Sequence, residues 1–325
     1  MVVRGGADAS GWSANVSASE LAGDLSYRAE GGGRLMARLA HLRIPDDSPG
    51  AKPVERTREL PSVDLIAESF THRDRRYGRV EVAALHDGPN WRIEKLGVVN
   101  PEASISGTGL WRSGTGSRTA LTLKLESSDV GKFLERLGYP ERVRGATAKI
   151  DGKLEWSGDP FSIDYPSLTG EISLHAEKGQ FPTIESGIGR MLSLISLNVT
   201  DATAKGFSFD TVSASFQVAR GVMNTSDLKI RGSAAEVTLN GDFDLEKETQ
   251  KLRVKVVPSV RRGVTTLATI VNPAVAVGVA IAQNVLKDPI GQILSYEYDV
   301  SGSWDDPKVE KVEPPLPAGG PPMSP

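Results

Sequence analysis

The chain of 325 residues contains no cysteine, which excludes a disulfide framework and every thiolate chemistry. Histidine is scarce as well: His41, His72, His86 and His175 each stand far from the next. No H-E-x-x-H, G-x-S-x-G or G-x-x-x-x-G-K-[ST] pattern occurs, so the common marks of metalloprotease, serine hydrolase and phosphate-loop chemistry are missing. Charge of one sign is absent too. With 38 basic and 41 acidic residues the formal net charge is −3, which offers no field for nucleic acid. Aromatic residues make up only 6%, so the apolar positions rest on Val, Leu, Ile and Ala. Met1 is followed by V-V-R-G-G-A-D-A-S, without an apolar stretch or cleavage site, and no export signal or N-terminal anchor is expected in the chain as written.

What the chain has in abundance is alternation. Side chains on a strand point to opposite faces, so apolar residues two apart mark one buried face. Val212, Ala214, Phe216 and Val218 form such a row, followed by Val237, Leu239, Gly241, Phe243 and Leu245. Leu252, Val254 and Val256 form a third row, and Leu294, Tyr296, Tyr298 and Val300 a fourth. Arg220-Gly221, the run 231–233 and the run 246–249 supply short antiparallel connections between them. Upstream, strands are expected at 12–18, 21–29, 34–44, 60–70, 78–85, 90–96, 103–111, 119–125, 146–156, 161–165 and 168–176. The Pro- and Asp-rich run 45–53 reads as a loop.

Two stretches depart from this period. Asp129 to Leu137 reads as a short helix, with Asp129 as N-cap and Gly138 as stop. Ile184 to Leu197 suits a second helix, with Ile188, Leu192 and Ile195 on one side. The fold class expected is therefore mainly β: an elongated, curled antiparallel meander with a few short helices. One elongated domain over 1–312 is expected, with a disordered Pro/Gly-rich tail at 313–325.

An uncharged run from Gly263 to Leu286 reads as two short helices hinged at Pro273, forming an apolar helical segment at 263–287. It is long enough to span a bilayer, yet Asn272-Pro273 divides it and Gln283-Asn284 interrupt it. Either it caps the end of the sheet as a buried plug, or it touches lipid. The candidates for lipid contact are Leu267, Ile270, Val271, Val275, Val279, Ile281, Val285 and Leu286.

Nothing resembles an active site. Gly107, Gly109 and Gly114 lie in a hairpin context and lack the helix that a nucleotide loop opens. Asp242 with Asp244, and Asp305 with Asp306, sit beside Gly and Pro as turn residues do. Arg73, Arg75, Arg76 and Arg79 form a basic cluster that suits a solvated hairpin or lipid phosphates. No catalytic group, metal site or cofactor is expected. A sheet with one apolar face must nonetheless cover it. It can curl over into a closed core, or hold a ligand with long apolar tails. For the second case the lining candidates are Val212, Phe216, Val218, Leu239, Phe243, Leu252, Val254, Val256, Tyr296 and Tyr298.

Several stretches resemble the C-terminal region of the YhdP family, which belongs to the AsmA-like, TamB-related envelope proteins. They are L-P-S-V-D-L-I-A-E-S-F (60–70), P-N-W-R-I-E-K-L (89–96), A-S-I-S-G-T-G-L-W (103–111), L-E-R-L-G-Y (134–139), G-K-L-E-W-S-G-D-P (152–160) and G-R-M-L-S-L-I-S-L (189–197). The most specific are K-G-F-S-F-D (205–210), A-Q-N-V-L (282–286) and Y-D-V-S-G-S-W-D-D-P (298–307). The resemblance implies the distal part of a periplasmic bridge whose full-length form is anchored in the inner membrane by a helix that this chain lacks. It further implies an AsmA-like hydrophobic groove that conducts phospholipids toward the outer membrane, with the 263–287 segment at the inner leaflet of that membrane and envelope proteins as possible partners. The competing expectations are an envelope assembly scaffold with a closed β core and, last, an enzyme on a β scaffold.

Overall fold

The computed structural model describes residues 1–44, 60–182, 206–259 and 295–312. Seventeen strands form one open, curled sheet. They are β1 (Val2–Asp8), β2 (Gly11–Ser17), β3 (Leu21–Arg28), β4 (Arg34–Ile44), β5 (Ser62–His72), β6 (Arg75–Asp87), β7 (Asn90–Val99), β8 (Ala103–Arg112) and β9 (Arg118–Ser127). After helix α1 (Val130–Arg136) come β10 (Arg144–Ser157), β11 (Thr169–Phe181), β12 (Phe207–Ala219), β13 (Val222–Arg231), β14 (Ala235–Asp244), β15 (Thr249–Pro258), β16 (Tyr296–Ser303) and β17 (Pro307–Lys311).

Each strand pairs with its neighbours in the chain, so the sheet is the mainly β meander that the alternation implies. The antiparallel order is broken at β4 and β5, which run parallel from Arg34↔Ser62 to Ile44↔His72. A parallel neighbour needs a return crossing that a tight turn cannot make. The chain makes it between Ile44 and Leu60, where the 45–53 loop expectation lies outside the described residues.

The segment 161–165 is not a strand. Pro160 and Pro166 bracket it, and the Asp159 carboxylate accepts the Phe161 N–H at 2.8 Å, fixing a turn. In β13 the alternation changes parity between Thr225 and Leu228, at a bulge, which is why no simple row is legible there. Helix α1 forms as its sequence indicates: the Asp129 side chain accepts the Lys132 N–H at 3.0 Å, and Gly138 follows at φ +85°. The expected helices at 184–197 and 263–287, and the tail, lie outside the described residues.

Bulges and close-approach glycines curl the sheet. At Gly170 and Gly241 a Cβ would come within 2.0 Å and 2.2 Å of the facing Lys153 and Lys251 carbonyl oxygens, so glycine alone lets these strands bend toward their neighbours. Arg142, between α1 and β10, lies 3.8 Å from Asp305 beyond β16. In a flat sheet those strands would stand roughly 29 Å apart; twist and curl bring their ends together.

The strand ends make two long rims. One carries α1, and from it the chain also departs at Pro182 and Ser259 and returns at Gly206 and Ser295. Helix α1 is pinned there by Arg136, which donates to both oxygens of Glu102 at 2.7 and 2.8 Å. That hydrogen bond holds the Glu102 carboxyl below its ordinary value, and the cap bond from Lys132 does the same for Asp129. Depressed carboxyl pKa values give stability that is complete above the ordinary carboxylate range and is lost as pH falls through the folded values. Protection factors of the 130–137 amides, referenced to the intrinsic exchange rate at each pH, should therefore fall on acidification through the folded values. Glu102→Gln should flatten the dependence, and Asp129→Ala should lower helix stability by about 1 kcal/mol at neutral pH.

Candidate functional site

The registers assign the two faces of the sheet strand by strand. Following Cα partners from β2 to β17, one face carries Ala14, Leu25, Ala37, Leu65, Val82, Ile93, Gly109, Leu121 and Leu154, then Gly170, Val218, Met223, Phe243, and on to Val254, Tyr298 and Val309. This apolar face is unbroken across the described sheet. The other face is charged and cross-paired: Arg38 meets Asp64 at 2.8 Å, Lys149 meets Glu126 at 3.3 Å, Lys153 meets Glu171 at 3.0 Å, and Arg253 meets Asp299 at 2.8 Å. Exposed pairs of this kind add little stability each, but they keep that face wet. A concavity of about 1010 Å³ on the charged side is lined chiefly by Arg92, Glu94, Thr108, Thr122, Lys153 and Glu155. Leu110 and Ala120 also line it, and its charges are internally matched, so it offers no singly charged ligand a partner.

The ten lining candidates all lie on the apolar face of β12 and β14–β16. Val212, Phe216, Val218, Leu239, Leu252, Val254, Val256 and Tyr298 are buried, Val254 completely at 0% exposure. Phe243 and Tyr296 are half-buried against the same cluster. The same face is different over β5–β11. There Ala67, Ala84, Trp91, Ile93, Trp111 and Trp156 are buried, whereas Leu65, Val82, Leu96, Ile105, Leu123, Leu125, Ile150 and Leu174 are half-buried, Leu174 against the β12–β16 cluster. Toward the β1 edge exposure rises further, to 52% for Val3 and 41% for Trp12. So the apolar surface that a ligand could reach lies upstream of the rows that are easiest to read in the sequence. Several of the half-buried rows carry glycine, at Gly107, Gly109 and Gly152, which weakens their alternation.

Trp12, Trp91, Trp111 and Trp156 sit on the apolar face at the rim opposite α1, and Trp304 lies at the same rim just beyond β16. Trp91 donates to the Pro61 carbonyl, Trp111 to the Ser117 hydroxyl, Trp156 to the Asp159 carbonyl and Trp304 to the Thr249 carbonyl, at 2.9–3.2 Å. Trp12 stacks on Tyr27. The four bonded indoles turn their N–H groups to the polar turns at the edge of the apolar surface, the arrangement suited to a boundary between the two. Phe161 reaches across from the β10–β11 connection to Trp91, at a ring separation of 6.2 Å.

The acidic pairs are turn and surface residues. Asp244 accepts the Glu246 and Lys247 N–H groups, Asp242 accepts from Asn224, and Asp306 is tied through its N–H to Ser303. Among the described residues no cluster of His, Asp or Glu could hold a metal ion. Of the basic cluster, Arg79 pairs with Glu68 and Glu81, Arg73 belongs to the β5–β6 turn, and Arg75 and Arg76 begin β6. The lipid-contact candidates from Leu267 to Leu286 lie outside the described residues.

The two exposure regimes predict opposite responses to charge. Val254→Asp or Phe216→Asp should destabilise by about 3–5 kcal/mol, because the carboxylate has no partner in a closed core. Leu123→Asp should cost only about 1 kcal/mol, within the ordinary range for a half-exposed site. Chemical denaturation of the three variants separates these cases, and equal losses would deny any distinction between the regions.

Comparison with known proteins agrees with this architecture. The model of the YhdP family, described as YhdP protein, matches residues 1–309. The intermembrane phospholipid transporter YhdP of Escherichia coli strain K12 is 25% identical over 249 residues, which cover 73% of this chain and 20% of that protein. The chain thus spans about a fifth of the length of the relative it matches. No solved structure matches. With its family model aligned over nearly the whole meander, the chain belongs to the YhdP family.

Proposed function

We propose that this chain is one stretch of a non-enzymatic conduit that moves phospholipids between the inner and outer membranes through the periplasm. The observation that carries the reading is the unbroken apolar face, left half-buried over β5–β11 and backed by a charged face. An acyl chain exposed to water costs about 0.8 kcal/mol per CH₂, so transport requires a continuous lining of this kind. The surface that meets the acyl tails should also be uniform, because a pocket shaped to one tail would trap its cargo. Leu, Val and Ile rows without buried charges meet that need. The relative named as an intermembrane phospholipid transporter supports the choice of cargo.

In this reading residues 1–312 form one elongated groove unit. The 263–287 segment, which leaves and re-enters at the α1 rim, docks to the inner leaflet of the outer membrane. In the same reading the full-length protein is anchored in the inner membrane. A second reading is favoured by one observation, the sealed packing of β12–β16: this end serves as a scaffold with a closed core for envelope assembly. The two are compatible if the open and closed parts divide the work.

Native mass spectrometry with lipid extraction, on protein expressed in the periplasm, tests the proposal. Phospholipid should co-purify, and Leu123→Asp should lose most of it at unchanged far-UV circular dichroism. Lipid-free protein, or full retention in Leu123→Asp, would leave the scaffold reading standing alone.

A further inference from the structure

At the α1 rim the apolar face ends in a polar pair. His72 and Arg75 are partners across the β5–β6 ladder, on either side of the two-residue turn Arg73-Asp74. That turn has φ of 50° and 57°, the left-handed geometry of a tight hairpin. The register places His72 on the apolar side, two residues beyond Phe70 and beside Ile44 of β4.

Both groups lack what their burial requires. Among the described residues, His72 Nδ1 is buried without a hydrogen-bond partner. Arg75 is half-buried, and no carboxylate or other acceptor among the described residues satisfies its guanidinium. The surrounding arginines differ: Arg43 pairs with Asp74, Arg79 with Glu68 and Glu81, and Arg136 with Glu102. Arg75 is instead held in place by α1. Its guanidinium lies 5.4 Å from the Tyr139 ring centroid, and a Cβ at Gly138 would come within 2.7 Å of its Nε. A planar fork of donors fixed by stacking, with its acceptor missing, is preorganised for a bidentate anion. An unsatisfied buried nitrogen beside it calls for the same explanation.

We propose that His72 and Arg75 form a phosphate subsite that takes the headgroup phosphate of a glycerophospholipid whose acyl chains lie on the adjoining apolar face. The assignment rests on the conduit reading. Residues directly opposite in an antiparallel ladder are about 5 Å apart at Cβ, so both side chains can reach one phosphate. The floor behind them, Leu42, Phe70 and Val80, supplies the tail surface. A lipid in transit would thus carry its charged end along the α1 rim, away from the tryptophans.

The test compares phosphatidylglycerol with diacylglycerol of the same acyl chains, each loaded from mixed micelles onto the full chain and counted by native mass spectrometry. Wild type should bind the phospholipid about ten-fold better, the scale of one charge-assisted hydrogen bond. Arg75→Gln and His72→Leu should each cut that preference several-fold while diacylglycerol binding and circular dichroism stay the same. Arg75→Lys, which keeps charge without the fork, should fall between. Equal binding of both lipids by wild type, or an unchanged preference in the variants, overturns the subsite alone. Binding of neither lipid overturns the conduit reading as well. Inorganic phosphate that raises the melting temperature of wild type as much as the phospholipid does, and not that of Arg75→Gln, overturns the lipid assignment in favour of a free-phosphate site.

Discussion

One constraint governs this molecule: side-chain parity must be kept through sixteen successive strand pairings. A shift of one residue in any ladder would turn that strand's apolar row outward. The sheet accommodates bulges only where parity is restored. The steps from Leu39 to Leu42 on β4 and from Ala67 to Phe70 on β5 are set against two-residue steps, Gly23 to Leu21 on β3 and Val80 to Gly78 on β6, so the same face stays apolar. On β13 the step from Thr225 to Leu228 is set against two residues on β14, and the face is again preserved. Curl is introduced without mixing the faces.

How the apolar face is covered then differs along the sheet. Over β12–β16 large residues interdigitate, with Phe216 edge-on to Phe243 at 6.3 Å, and most of each row is closed to solvent while Phe243 and Tyr296 stay half-buried. Over β5–β11 the same positions hold Gly107, Gly109, Gly152 and Gly170, which lower the floor and leave the flanking Leu and Ile side chains half-covered. The rims differ as well. The tryptophan rim is made of turns whose carbonyls and hydroxyls receive indole N–H groups, while the α1 rim carries arginine and the longer excursions of the chain. A two-sided sheet with unlike rims has a direction across its width, which a symmetrical sandwich would not.

Much of this was legible in the residues. The rows at 212–218, 237–245 and 252–256 alternate regularly and are bounded by clear turns, and all but Leu245 lie in β12, β14 and β15 on one face. Asp129 and Gly138 bracket α1 because a cap and a left-handed stop act locally. The expected strand at 161–165 failed because three alternating apolar residues imitate a strand, although Pro160 and Pro166 leave no partner edge for it. Strand β13 was obscured because a bulge reverses its parity midway. The tryptophan rim escaped notice because the five indoles are scattered from Trp12 to Trp304, and only the pairing order aligns them.

From the sequence alone came the class of the fold, the amphipathic character of its strands and the family it resembles, since each depends on local period, turn chemistry or short motifs. Tertiary structure alone decided which rows are sealed and which are reachable. Burial depends on curl accumulated over many strands, which no single segment encodes. It also decided that His72 and Arg75 face each other with their acceptors missing. Whether a polar group is satisfied depends on everything packed around it, and here that surrounding is built from β4, β5, β6 and the end of α1.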